Sequence, residues 1–548
     1  MQVFGAKRVV NDSIKRWGIG ALAAAVFTFI GWKAAVLYER RGDRLPTAQA
    51  HKQQTTPKRD IYNPKAVYVP TADISANPLF SDYIPTSASS KPVEDDGIRL
   101  VSGFEGSPAA KITKDTDGHW VIEQEDPTWK KPHFFLFRIE GANGHDVTIE
   151  LRNVPDRWST INPVYSYTRS LDDLAAFALT LPTNAVALHK AQNGADLPDT
   201  SGQSWHFIED TKAFNGSFWF RQKLDHDAHV CMRYPYTPSY NERYLDSLTN
   251  ESSVSVITVG SSKEGRPLRV VKIGEGTEAG EQRKPCVLIY AREHADEQDS
   301  SWAAQGAIEF LVSDTTEARQ IRKQCTFLVI PLLDPDGAAA PVYEHITDSF
   351  GEGYTTIESI AYSATFKAWV DRGKPLQLVL NLHNLESQEG PHVSNPRIES
   401  DAKRIKYSQA FYNEFVVPPI KAIDFRVGAP TESKGPSPGR LGDWLRVTYG
   451  TLHLPIELNS QERHRHMTIS DLHQVGKLLV LSCTQYLNSE EAAPLLAGIE
   501  QVRNERAARW KKYAEVIVAK SAIEAERNCQ WKEQSDRLYS EWGGRPPK

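Results

Sequence analysis

The chain has 548 residues, of which 40% are apolar and 24% charged, with a formal net charge of −5. That length exceeds what one core serves and predicts several domains. The composition excludes a disordered chain, and the small negative charge lacks the basic footprint of nucleic-acid binding, so no nucleic-acid partner is expected.

Trp17 to Trp32 reads WGIGALAAAVFTFIGW, without a charge, and after Lys33 the run continues through AAVLY to Tyr38. This is about 22 residues, near the ~20 that cross a bilayer, with Lys33 placed to snorkel. Residues 1–38 are therefore expected to carry a single-pass membrane anchor (about 17–38). A cleaved signal peptide is the rival reading, on the small residues at Ala48 and Ala50. Lys7, Arg8, Lys15 and Arg16 precede the run and Arg40, Arg41 and Arg44 follow it, a near balance. The expected orientation leaves the N-terminus in the cytoplasm and the bulk of the chain on the non-cytoplasmic side.

Residues 39–96 are polar, with scattered Pro, Ser and Thr, and read as a flexible linker. From 97 to 240 short aromatic and β-branched runs such as HWVIEQ, HFFLFRIEG, HDVTIELRNV and SFWFRQKL are bounded by Gly, Asn, Asp and Pro. Val147, Ile149 and Leu151 alternate with polar residues, and the spacing predicts an antiparallel β-sandwich. From 241 to 488 the runs SVSVITVG, LRVVKIG, CVLIYA, TFLVIPLLD, LQLVLNLHN and LHLPIELN are nearly continuous in apolar residues, with helix-like stretches between some of them. Strands buried on both faces predict an α/β domain with a mixed sheet. Residues 489–548 read as an amphipathic helical tail. Its apolar side, including Ile499, Val502, Trp510 and Tyr513, either packs on the chain's own domain, the commoner outcome, or receives a protein partner. Cys231, Cys286, Cys325, Cys483 and Cys529 fall at neither zinc-knuckle nor redox spacing.

Ionisable residues gather just past the ends of the buried runs, the edge where open α/β folds build sites. After CVLIYA comes Arg292-Glu293-His294-Ala295-Asp296-Glu297. Imidazole and carboxylate are good zinc ligands, and a three-residue offset at a strand-to-helix turn can bring His294 and Glu297 onto one metal, although H-x-x-E alone is common by chance. His383 ends another run as His294 ends its own, and Glu457 ends a third. Between them VIPLLDPDG closes in an Asp-Pro-Asp-Gly turn. Singly, each has a structural explanation; a hydrolytic zinc site would need a third ligand and a carboxylate base beside the first pair, and it is the conjunction of these residues at the ends of buried runs that counts.

The conjunction resembles the M14 zinc carboxypeptidase family, and more closely its cytosolic-carboxypeptidase-like branch. AREHADEQDSSW is similar to that branch's A-R-x-H-P-G-E-x-x-x-S-W, LLDPDG to its L-N-P-D-G, NLHN to its D-x-H-G, and GDWL followed by LPIEL to the region of its catalytic Glu. FWFRQKLDHDAHVCMRYPYTPSYNERYL resembles the end of the branch's N-terminal β-domain. The likeness covers roughly residues 97–490. It implies one zinc per chain held by His294, Glu297 and His383, with Glu457 as general base and acid, in a hydrolase acting on a peptide or peptide-like substrate.

The family also has an oxyanion Arg and an Asn-Arg pair that grips the substrate's C-terminal carboxylate, between the Asp-Pro-Asp-Gly turn and the second His. Here that interval carries only Lys367, Arg372 and Lys374 as cations, and the family's Tyr before the Asp-Trp signature is missing. An Arg fork is not replaced by a generic residue. Arg440, on the Gly-rich loop before Asp443 and Trp444, is the preferred substitute, and Arg292 is a second candidate for substrate binding. Two alternatives stay open: a zinc amidase or deacylase with altered specificity, and a non-catalytic carboxypeptidase-like binding protein. His464 and His466, two apart, and His392 read as polar loop residues near the rim.

Overall fold

The computed structural model of the protein describes residues 93–95, 97–124, 131–155, 158–159, 161–167, 205–248, 253–276, 284–341, 345–347, 349–350, 356–384, 392–393, 402–423, 426–427, 439–460 and 467–518. Eleven strands come first: β1 (Val93–Asp95), β2 (Ile98–Val101), β3 (Lys111–Lys114), β4 (Trp120–Glu123), β5 (Leu136–Glu140), β6 (His145–Arg152), β7 (Val164–Ser166), β8 (His206–Phe207), β9 (Thr211–Phe214), β10 (Ser217–Leu224) and β11 (Ala228–Cys231). They form two sheets, ordered β1-β2-β5-β11-β7-β8 and β3-β4-β6-β10-β9.

In β6 the alternation seen in sequence becomes physical: Val147, Ile149 and Leu151 are buried in the core. Phe137 of β5 stacks on Phe220 of β10 at 6.2 Å, and the buried Trp158 lies 5.5 Å from Phe135, so aromatic rings fill the space between the sheets. The β9–β10 hairpin closes on Asn215-Gly216, both at positive φ, the two-residue turn whose twist matches the strands. One pairing departs from the expected all-antiparallel sandwich: β4 runs parallel to β6, with Trp120 opposite Ile149. Alternation tells which face a strand buries, not which neighbour it meets, so this pairing left no mark in the sequence.

Helix α1 (Pro238–Ser247), capped by Thr237, leads into the second region. Its sheet joins β12 (Val254–Ser261), β13 (Pro267–Ile273), β14 (Cys286–Ala291), β15 (Thr326–Ile330), β16 (Leu378–Asn384) and, numbered after the short parallel pair β17 (His392–Val393) and β18 (Arg426–Val427), β19 (Leu452–Leu458). The order is β12-β13-β15-β14-β16-β19. The β12–β13 and β13–β15 pairs are antiparallel, and the pairs joining β15, β14, β16 and β19 are parallel. This is the mixed-sheet α/β domain expected.

The helices are α2 (Gln298–Val312), α3 (Thr316–Gln324), α4 (Pro335–Ala339), α5 (Ile357–Asp371), α6 (Ala402–Ala410), α7 (Val417–Ala422), α8 (Leu441–Tyr449), α9 (Ile469–Leu487) and α10 (Ala493–Val518), with a π-helical stretch Phe411–Val416 between α6 and α7. One sheet face packs with α2 and α9, through Leu380, Leu382, Leu454 and Ile456. The other packs with α5 and α8, through Val379, Phe366, Trp369, Leu441 and Trp444.

In α10, Leu495 and Ile499 are buried, and Ile499 and Val502 line a small void with Val370, Leu376 and Tyr449. That part of the tail's apolar side is used within the chain, so the expected docking of a protein partner finds no support there. Among the described cysteines, Cys231, Cys286, Cys325 and Cys483 are buried and in no disulfide. The expected anchor at 17–38 lies outside the described residues, as do His464 and His466. Among the described residues no helix is long and apolar enough to cross a membrane.

Candidate metal centre

Chain order places the site. From β14 the chain moves to β15 on one side, and then to β16 on the other. The crevice at the carboxyl ends of β14 and β16 is therefore a topological switch point, where open α/β sheets bind ligands. His294 and Glu297 follow β14, His383 is near the end of β16, and Glu457 is near the end of β19.

The turn after β14 depends on Arg292, a non-glycine residue at φ 65°. Such a conformation persists only where surroundings over-determine it, and here they do. The Arg292 guanidinium is fully buried and donates to the carbonyls of Tyr236, at 3.1 Å, and Ala295. Burial pulls its pKa down to about 10, against the pull of Asp296, Asp334 and Glu297. Arg292, expected near substrate, is thus committed to backbone carbonyls at the strand end. Glu297 is the N-cap of α2, whose start is tied to β16 by Ser300 N–H donating to Asn384 Oδ1 at 3.0 Å.

These constraints bring three predicted ligands together. Glu297 Oε1 lies 2.8 Å from His294 Nδ1, and Glu297 Oε2 lies 2.8 Å from His383 Nδ1. All three residues are at most 5% exposed, and their donor atoms lie within 4.8 Å of one another. Burial works against a charged His294, but the Glu297 carboxylate and its hydrogen bond outweigh it and lift the imidazole to about 9. Burial likewise opposes the Glu297 charge, yet the His383 and His294 rings hold its carboxyl well below the usual range. Two imidazole nitrogens facing two oxygens of one buried carboxylate fit a single zinc ion, whose protein ligands are of these types.

Glu457 pairs in register with His383 on adjacent parallel strands. Aligned neighbours point to the same face, about 4.8 Å apart between strands. Glu457 is half-buried. Arg440 is the half-buried N-cap residue of α8, the helix that covers this same face, and its charge is felt at His294. Lys367 is paired with Asp371, and Lys374 is buried over the Trp369 ring at 4.5 Å. Both precede β16, at the end of the strand away from His383.

Sequence reasoning passed over three further residues. Glu293 is fully buried and accepts from Asn381 Nδ2 at 2.8 Å and from Leu441 N–H at 3.2 Å. Asp334 caps Gly337 N–H and holds His345 Nδ1 at 2.8 Å. Asp336, fully buried in the same turn, accepts from Ser262 Oγ at 2.6 Å and Arg266 Nη1 at 2.7 Å, which ties α4 to the end of β12. The only trace of these in the sequence was the acidic character of the two turns.

Residues 241–348 match the zinc carboxypeptidase family Peptidase_M14. The chain is 30% identical to cytosolic carboxypeptidase 3 of Mus musculus over 260 residues, 45% of this chain and 25% of that protein. It is 29% identical to cytosolic carboxypeptidase 2 of Homo sapiens over 262 residues, 46% of this chain and 28% of that protein. The matched part thus spans about a quarter of the length of these relatives. In fold the chain is similar to a metallo-carboxypeptidase from Burkholderia cenocepacia, with TM-score 0.58 and 16% identity, covering 71% of this chain and 99% of that one. A metallo-carboxypeptidase from Pseudomonas aeruginosa gives TM-score 0.55 and 14% identity over 71% and 99% of the two chains.

The relatives matched in sequence are named cytosolic. Those names stand against the expected membrane-anchored, non-cytoplasmic placement. The motifs, the match over 241–348 and the mixed sheet agree: this region is similar to the M14 zinc carboxypeptidases, and the relatives matched in sequence are cytosolic carboxypeptidases.

Proposed function

We propose that the chain is a zinc-dependent hydrolase of carboxypeptidase type that cleaves an amide bond in a peptide or peptide-like substrate. The observation that carries this reading is the register pairing of Glu457 with His383, beside the convergent His294 and Glu297. His294, Glu297 and His383 would hold the zinc, which when bound polarises a carbonyl and acidifies water. Glu457 takes a proton from the attacking water on its carboxylate and returns it to the leaving amide nitrogen. Arg440 presents its guanidinium from the α8 N-terminus to a substrate carboxylate or to the developing oxyanion.

A second reading, amide hydrolysis without recognition of a C-terminal carboxylate, draws support from the engagement of Lys367 with Asp371 and Lys374 with Trp369. Turnover by zinc-loaded protein of peptides with free and with amidated C-termini, and of N-acylated amines, decides between the two. Glu457→Gln should lower kcat by about 10²–10⁴-fold. If Arg440 reads a terminal carboxylate, Arg440→Ala raises KM for free peptides and leaves amidated ones unchanged. Zinc-loaded protein that cleaves no acyl substrate would favour a binding protein instead.

A further inference from the structure

We propose that Glu293 is a positioning residue for the metal centre. Its charge orients His383 from behind, and its hydrogen bonds tie Asn381, on the same strand as that histidine, to the helix that Arg440 caps. The inference rests on the proposed zinc site and adds a residue to it.

Glu293 sits between the Arg292 turn and His294, with no exposed surface. A buried carboxylate is costly unless its oxygens are satisfied. Here Oε1 accepts from Leu441 N–H in the first turn of α8, and Oε2 accepts from Asn381 Nδ2. The adjacent amide, Gly442 N–H, donates to Tyr290 Oη at 2.9 Å, so β14 and its exit hold the start of α8 at two successive residues. Arg440 immediately precedes them.

The third neighbour is His383. Its Nδ1 faces Glu297, and its Nε2 faces Glu293 Oε2 at 3.6 Å. That is longer than a hydrogen bond but well within electrostatic range at a buried site. With Nδ1 turned to the metal side, the proton of the neutral ring belongs on Nε2, and a carboxylate there fixes both tautomer and ring orientation and makes the ligand nitrogen more basic.

Asn381 supports this assignment. It stands two residues before His383 on β16, so both side chains leave the strand on one face. It occupies the position that is Asp in the D-x-H-G segment which NLHN resembles. The carboxylate near His383 is therefore supplied here from the β14 exit, and the strand contributes an amide that binds it.

Glu293→Gln isolates the charge from the hydrogen bonds. The Gln carbonyl can still accept from Leu441 N–H. Its amide can donate to Asn381 Oδ1, which has no hydrogen-bond partner among the described residues, once Asn381 turns over. The variant should fold with a Tm in the metal-free state no lower than that of wild type. Zinc affinity, measured by calorimetric titration of wild type and variant, should fall about 10–100-fold. Adding Asn381→Asp, which returns a carboxylate to the strand, should recover part of that loss. Glu293→Asp keeps the charge but withdraws it by one methylene, and a weakening of threefold or more is expected there too.

A correctly folded Glu293→Gln that binds zinc within twofold of wild type overturns the proposal and leaves the zinc site standing. If Glu293→Gln does not fold, Glu293→Asp binding as tightly as wild type overturns it equally. Wild-type protein that takes up no zinc overturns the zinc site and this inference together.

Discussion

Arg233 and Asp299 form an ion pair at 2.8 Å with side chains 2% and 0% exposed, joining the segment after β11 to the first turn of α2. Asp299 also accepts from Ser460 N–H at 2.9 Å, so it holds the exit of β19 as well. Removing one partner of such a pair strands a buried charge, at a cost of about 3–5 kcal/mol. Arg233→Met should therefore lower Tm by roughly 6–20 °C, taking about 2–4 °C per kcal/mol for a large domain. Replacing both partners tests the reason. In Arg233→Met/Asp299→Leu neither charge of the pair is stranded, and the Ser460 bond, about 1 kcal/mol, is lost outright. The double variant should be more stable than Arg233→Met alone, with a coupling energy above about 1 kcal/mol. Thermal unfolding of the four proteins by circular dichroism measures this. An Arg233→Met Tm within 2 °C of wild type, or additive effects in the cycle, would refute the argument from a stranded charge.

His345 offers a test in pH. Burial alone would lower its pKa, but the Asp334 carboxylate outweighs that and lifts it from the ordinary 6.5 to about 9. A raised folded value means the pair's stabilisation is full below about pH 6.5 and fades as pH rises through about 9. Wild-type Tm should decline across that window more steeply than the Tm of His345→Gln; parallel curves would deny the pair. A methyl on Gly476 would lie 1.9 Å from the Ala303 carbonyl oxygen, so α2 and α9 can touch only because that residue is glycine. Gly476→Ala should cost roughly 1–3 kcal/mol by overpacking, and because α2 carries Glu297 at its cap, zinc affinity should fall with it in a titration. Zinc at about 1,000 times its Kd should add roughly 4 kcal/mol to wild-type stability; His294→Ala should lose both that shift and the bound metal measured by elemental analysis.

What was legible in the sequence is what local pattern encodes. Strands buried on both faces announced the sheet, and His294, Glu297, His383 and Glu457 stood out because they end such strands, where polar groups need a reason to be. What was not legible depends on partners distant in the chain. Glu293 looks like one more charge in a polar knot until Leu441 N–H, 148 residues away, is seen donating to it. Arg292 reads as a loop cation, yet its positive φ turns it into the core, and no periodicity signals that. His345 pairs with a turn residue whose Asp-Pro-Asp-Gly setting already explained it locally. The parallel β4–β6 pairing was hidden for the same reason, since strand propensity carries no information on neighbours.

The charge balance of the β14 exit explains the density of ionisable groups there. Arg292, Glu293, Asp296 and Glu297 are all at most 5% exposed, one guanidinium against three carboxylates. Among these four groups that leaves an excess of two negative charges, in a region where burying charge is costly. Arg440 and Glu457, both half-buried, add one charge of each sign to the count. In the metal-free protein the proton that His294 retains up to about pH 9 supplies one positive charge. A divalent cation held by neutral imidazoles would supply two and complete the balance. The knot is thus a stretch whose burial makes electrostatic sense with a metal in place, and substitutions that remove one carboxylate, such as Asp296→Asn, should stabilise the metal-free protein while weakening its hold on zinc. A variant that gained stability in both states would show that the excess charge serves some other end.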